Sequence, residues 1–111
     1  MSERPIERYL FDNAWQQERE RLAAIERSFD PGTIREIEAT GISKGWQCLE
    51  VGAGGGSIAE WLSDRVGKRG RVIATDIDTR FLAAIRKPNL EALQHNIVTG
   101  DLPQNAFDLI I

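Results

Sequence analysis

The stretch Glu50-Val51-Gly52-Ala53-Gly54-Gly55-Gly56-Ser57 constrains the chain most. It follows the apolar run Trp46 to Val51 and precedes the helical pattern Ile58 to Val66. A chain leaving a strand and entering a helix this abruptly needs residues that tolerate positive φ, and glycine does so without a Cβ penalty. The bare backbone also lets a ligand lie against it, and the helix that follows presents unpaired N–H groups at its positive end. Ser57 and Glu60 have the spacing of a capping box, which independently predicts a helix start. A glycine turn by itself serves tight turns, nucleotide sites and close packing alike. Glu50 narrows the choice: a carboxylate at the end of a buried strand is costly without donors or a cation nearby, and a ligand's amino group supplies one.

The pattern on either side fixes the fold class. Arg71 to Thr75 reads as a second strand, Phe81 to Arg86 as a short helix, and Leu90 to Gln94 and Phe107 to Ile111 as two further strands. Strands alternating with helices imply an α/β protein: a Rossmann-like, mostly parallel sheet with crossover helices. Residues 1–44 read as an N-terminal helical cover and 45–111 as the sheet-bearing domain. Within the cover, Trp15, Leu22, Ile25 and Phe29 share a helical face over residues 13–29. A second helix is expected with Asp30 as its cap, Pro31 at its first position, Ile34 and Ile37 on one face and Gly41 as its stop.

The second strand runs into Ala74-Thr75-Asp76-Ile77-Asp78, with Asp76 twenty positions beyond Gly56. An acid at that strand end can accept from both hydroxyls of a ribose. Asp78 reads as a cap for the helix containing Phe81 and Leu82.

With these residues in view, Cys48-Leu49-Glu50-Val51-Gly52-Ala53-Gly54-Gly55-Gly56 resembles the first motif of class I S-adenosylmethionine-dependent methyltransferases. The resemblance spans residues 46–111 and implies S-adenosyl-L-methionine as cofactor. It implies that Glu50 orients the amino-acid end, that Gly52, Gly54 and Gly56 allow close approach, that Asp76 takes the ribose, and that Ile77 packs on adenine. The family also places an acceptor for the adenine amino group ahead of a Phe-Asp pair. Asn96, a dozen positions before Asp108, fits that interval, with Ile97 beside it offering backbone N–H and apolar contact. Asn96 departs from the commoner aspartate, but its carbonyl accepts without a charge; Asp101 is the fallback. Tyr9, Phe11, Trp15 and Arg21 are candidates for lining the cover, set against packing for the aromatics and solvation for Arg21.

Two rival readings stand beside this one. A nicotinamide-dependent oxidoreductase also uses a strand, a glycine turn and an acid, but its fingerprint counted from Gly52 wants glycine or alanine where Ser57 stands. Counted through Gly54, Gly56 and Ala59 the spacing fits, yet Glu50 would then repel a pyrophosphate. The second rival is a noncatalytic remnant. Phe107-Asp108-Leu109-Ile110-Ile111 lies inside what should be a buried central strand, so the sheet reads as incomplete and the chain as part of a longer enzyme or a truncated product. Such a chain is expected to expose edge and core surface. No residue stands out as a catalytic base.

Composition excludes rather than assigns. A net charge of −3 prompts no nucleic-acid partner, since phosphate binding needs clustered Lys and Arg; a small-molecule substrate is preferred. The single Cys48 sits in an apolar run and reads as a small buried hydrophobe. His95 has no partner at metal-ligand spacing, so no metal is expected. No run approaches a membrane span or a signal peptide, and the expected location is the cytoplasm.

Overall fold

A computed structural model describes residues 5–95 and 106–111. In chain order these form helix α1 (Pro5–Ala39), strand β1 (Gln47–Val51), helix α2 (Ser57–Val66), strand β2 (Arg71–Asp76), a single 3-10 turn (Leu82–Ala84), strand β3 (Leu90–Gln94) and strand β4 (Leu109–Ile110). The described strands make one parallel sheet in the order β3-β2-β1-β4. β1 and β2 run in register from Gln47↔Arg71 to Val51↔Thr75, which brings the ends of both strands to one edge.

Central placement explains the composition of β1. Cys48 and Leu49 point to opposite faces and both are buried, as expected for a strand covered on two sides. On one face, α2 sets Ile58, Ala59, Leu62 and Val66 against Cys48, Val72 and Ala74, joined by Ile37, Ile42 and Leu82. The edge strands are wetter: Leu93 of β3 and Ile110 of β4 are exposed.

The N-terminal region differs from the two helices expected. α1 is one helix of thirty-five residues with Pro31 inside it, and Asp30 is an interior residue rather than a cap. Proline's φ is already helical, so the penalty is local: a missing N–H bond and a clash with the carbonyl of Arg27. The helix continues on both sides of that defect. Gly41 is the expected stop, with φ +82°, and Ile42 behind it is buried. The short helix expected over 81–86 contracts to the 3-10 turn because Ile85 is already extended and Pro88 follows.

Candidate cofactor site

The end of β2 holds the glycine turn in place. The Ala53 N–H donates to the Thr75 carbonyl at 2.9 Å, and the Gly54 N–H donates to Asp76 Oδ2 at 2.8 Å. The other carboxylate oxygen, Asp76 Oδ1, accepts from the Asp78 N–H at 3.1 Å, while the Asp76 carbonyl accepts from the His95 N–H at 3.0 Å. Below them the Thr75 hydroxyl donates to the Glu50 carbonyl at 3.1 Å. Asp76 is thus a hub for three segments. A carboxylate offers about four lone-pair sites, so two backbone bonds leave capacity for a pair of hydroxyls.

Glu50 is placed differently. Its Oε1 is buried and has no hydrogen-bond partner among the described residues. Burial first, and then the charges of Asp30, Asp76 and Glu26, push its carboxyl up to about 8. An acid held protonated by desolvation and like charge is an electrostatic vacancy for a cation. A ligand ammonium or sulfonium entering here would meet charges of the right sign, and it would restore Glu50 to its ionised form.

The glycines divide by what surrounds them. Gly52, Gly54 and Gly56 all have positive φ, at +72°, +57° and +88°. A Cβ on Gly52 would point into open space, so its bareness leaves room at the turn. A Cβ on Gly56 would come within 2.4 Å of Ile85 Cδ1 and 3.0 Å of Leu82 Cδ2. Gly56 therefore serves close packing of the helix start on the 3-10 turn. Gly54 lies under Leu22, and Gly55 under Arg19 and Glu26, all from α1.

The expected capping box does not form. Gly56 occupies the N-cap position in a left-handed conformation and offers no side chain, which places Ser57 within the first turn. The cap comes from α1 instead: Glu26 Oε2 accepts from the Ser57 N–H at 3.1 Å. Glu26 and Asp30, with Leu22 and Arg19, are the site residues that sequence reasoning missed. All four lie on a helix read as a cover, and no local pattern marks which turn of it meets the glycines.

Ile77 is exposed beside this edge, its carbonyl accepting from the Gln94 side chain at 2.9 Å. Asn96, Ile97 and Asp101 lie outside the described residues. Asp78 accepts from the Arg80 N–H at 3.1 Å and pairs with the Arg80 guanidinium, so it caps the chain entering the 3-10 turn. Both ring nitrogens of His95 are buried without a partner among the described residues. Trp15 stacks on Phe81 with centroids 4.3 Å apart, whereas Tyr9 and Phe11 are exposed and Arg21 pairs with Glu18 on the same helix. Cys48 is buried in the core, and that burial pushes its thiol up to about 11.

A cradle of this kind, with a glycine turn against two strand ends and two acids, is shared by several nucleotide folds. Comparison with known families decides among them: a model of the methyltransferase domain matches residues 48–111. The chain belongs to that family. It is 32% identical over 82 residues to the ubiquinone/menaquinone biosynthesis C-methyltransferase UbiE of Pseudoalteromonas translucida, covering 67% of this chain and 33% of that protein. A tRNA (adenine) methyltransferase, TrmI of Methanocaldococcus jannaschii, is 41% identical over 51 residues, 46% of this chain and 18% of the relative. Among solved structures, an S-adenosylmethionine-dependent methyltransferase from Aquifex aeolicus aligns with TM-score 0.55 and 28% identity, over 68% of this chain and 44% of that one. A TehB-like enzyme from Corynebacterium glutamicum shares the fold over 86% of this chain and 54% of its own, with TM-score 0.63 and 23% identity.

The methyltransferase chain thus carries the Rossmann-like class I fold, with a four-stranded sheet among the described residues, and it spans about a third of the length of its UbiE relatives. These relatives take the glycine turn to methyltransferases rather than to nicotinamide enzymes.

Proposed function

We propose that the edge formed by β1, β2 and the glycine turn binds S-adenosyl-L-methionine, and that the whole protein transfers its methyl group to a small molecule. The observation that carries this reading is Glu50, whose buried Oε1 has no partner among the described residues and whose carboxyl feels the charges of Asp30, Asp76 and Glu26. The roles proposed are those that the family resemblance implies. Glu50 orients the ammonium end, Gly52 leaves the backbone bare, and Asp76 accepts from the ribose. Ile77 covers the adenine, and the family resemblance assigns Asn96 and Ile97, outside the described residues, to the same base. Residues 1–44 form a cover and 45–111 the cofactor-binding unit.

When bound, the cofactor supplies an electrophilic methyl carbon. Held by Glu50 at its amino-acid end and Asp76 at its ribose, it would offer that methyl to an acceptor nucleophile and leave as S-adenosylhomocysteine. The chain's own contribution is to hold and orient, which lowers the barrier by replacing a chance encounter with an aligned one. The net charge of −3 and the small-molecule pathway named for the UbiE relatives favour a small acceptor over nucleic acid. No helix among the described residues is long and apolar enough to cross a membrane, and we place the protein in the cytoplasm.

Calorimetric titration with S-adenosylhomocysteine, with NAD as control, tests the reading. Binding of the first alone is expected; binding of NAD alone, or of neither by folded protein, overturns it. Asp76→Ala is expected to weaken the nucleoside by about 1–3 kcal/mol, the cost of losing a charged acceptor. Asn96→Ala should cost less, and a larger loss at Asp101→Ala would move the adenine contact to that residue.

A further inference from the structure

Helix α1 does more than shade the glycine turn. Glu26 Oε2 accepts from the Ser57 N–H at 3.1 Å, so a carboxylate already occupies the start of α2. A Cβ on Gly55 would stand 2.9 Å from Glu26 Oε1 and 2.8 Å from Arg19 Nη1, which puts both side chains directly on the bare face of the turn. Leu22 lies beside Gly54 less tightly, its Cδ2 3.7 Å from where a Cβ would stand. The first N–H groups of a helix attract anions through their unpaired donors and the helix dipole. The amino-acid part of S-adenosylmethionine carries one such anion, a carboxylate.

The attachment of α1 is thin in proportion to its length. Ile37 is its buried residue, and it lies beyond Pro31-Gly32. On the near side the helix is held by Trp15 on Phe81, the Glu26 cap, Arg19 over the Phe81 ring and the side chains laid on Gly54 and Gly55. Pro31 removes one helical hydrogen bond, and Gly32 has the weakest helix preference after proline, so this pair is where α1 bends most cheaply. Glu26 is also one of the charges that raise the Glu50 carboxyl, so its departure relieves like-charge crowding at the same site.

From this geometry we infer that Glu26 is a built-in competitor for the carboxylate of the incoming cofactor, and that seating this carboxylate, rather than the nucleoside, requires α1 to lift off the glycine turn about Pro31-Gly32. The inference rests on the S-adenosylmethionine reading above and adds to it a latch supplied by the chain itself. Arg19, 3.9 Å from Glu26, lies on the same half of α1 and leaves the turn together with it.

Two ligands separate the latch from a general effect on the fold. S-adenosylhomocysteine has the amino-acid carboxylate, whereas 5′-methylthioadenosine has the same nucleoside without it. Glu26→Ala in the full chain is expected to tighten S-adenosylhomocysteine by roughly threefold to thirtyfold, the span of a helix-capping contact, and to leave 5′-methylthioadenosine unchanged. Glu26→Gln, which keeps the shape and an acceptor but not the charge, should fall between. Hydrogen exchange at the Ser57 amide of the free protein should speed up in the alanine variant, reporting the cap with no ligand present. Equal tightening of both ligands, weakening of either, or no change overturns the competition. If neither ligand binds to any variant while Ser57 exchange still accelerates, the cofactor reading falls together with the competition and only the cap survives.

Discussion

Helices α1 and α2 both touch the glycine turn, but they are held by different physics. α2 has ten residues and buries Ile58, Ala59, Leu62, Ser63 and Val66 against the sheet. α1 has thirty-five and buries Ile37 alone. One is fastened by apolar area that exists in any ligand state; the other rests through a cap, an aromatic stack and a few side chains laid on glycine. A cradle must be fixed before a ligand arrives, whereas a cover must admit one. The distribution of buried surface in this chain follows that division.

The largest expected effect tests whether α2 is the fixed partner. Leu62 is fully buried, and Leu62→Ala removes methyl groups from the centre of the cluster, which should cost about 2–5 kcal/mol of stability in denaturant unfolding. Phe29→Ala, at a site 68% exposed on α1, should stay within about 0.5 kcal/mol. Comparable losses at the two positions would make α1 an integral part of the core and remove the contrast.

A second effect comes from Glu50, which α1 helps to crowd: burial raises its carboxyl from 4.5 to about 8, with Asp30 and Glu26 of α1 and Asp76 of β2 adding their charges. Because the folded value lies above the unfolded one, the folded state holds the proton more tightly. Stability is therefore fully present below pH 4.5 and declines as pH rises through 8. The decline attributable to this group is on the order of 2 kcal/mol, given that part of the side chain meets solvent. Glu50→Gln should flatten that slope in unfolding experiments run across the interval. A cation in the site should reverse the preference, so S-adenosylmethionine binding at pH 7 is expected to release a proton, seen as a dependence of the calorimetric heat on buffer ionisation enthalpy. A slope that survives in the glutamine variant would assign it to another group.

What was legible in the sequence follows the same contrast. The strand bounds of β3, the helix over 58–66 and the meeting of Glu50, Asp76 and the glycines at one edge could all be read, because local period, glycine and parallel topology determine them. Contacts made across long separations could not. The partner of the Ser57 N–H was sought three residues ahead at Glu60 and lies thirty-one residues back at Glu26. Pro31 reads as a helix start by local rules, yet the chain tolerates its one missing bond within a helix that favourable residues continue on both sides. Gly56 reads as a cofactor glycine, but its bare face is turned to Ile85 and Leu82, neither of which the motif mentions. Each of these depended on where a second element would lie, and a short window contains no term for that.

The smallest effect falls on the contact that holds the N-terminal half of α1. Trp15 stacks on Phe81 at 4.3 Å and 27°, with the Arg80 guanidinium 5.4 Å from the Trp15 ring and that of Arg19 5.7 Å from Phe81. Aromatic pairs of this kind contribute about 0.5–1.5 kcal/mol beyond their area. If α1 is a cover pinned at this point, Trp15→Ala should accelerate amide exchange along residues 15–26 while leaving Val72 and Ala74, buried in β2, unchanged. Faster exchange in β2 would mean that the stack supports the sheet itself. Phe81, at 7% exposure, is the side of the pair that belongs to the core, so the asymmetry of the stack predicts the asymmetry of the response: losing Trp15 frees the helix, and losing Phe81 loosens the packing beneath it.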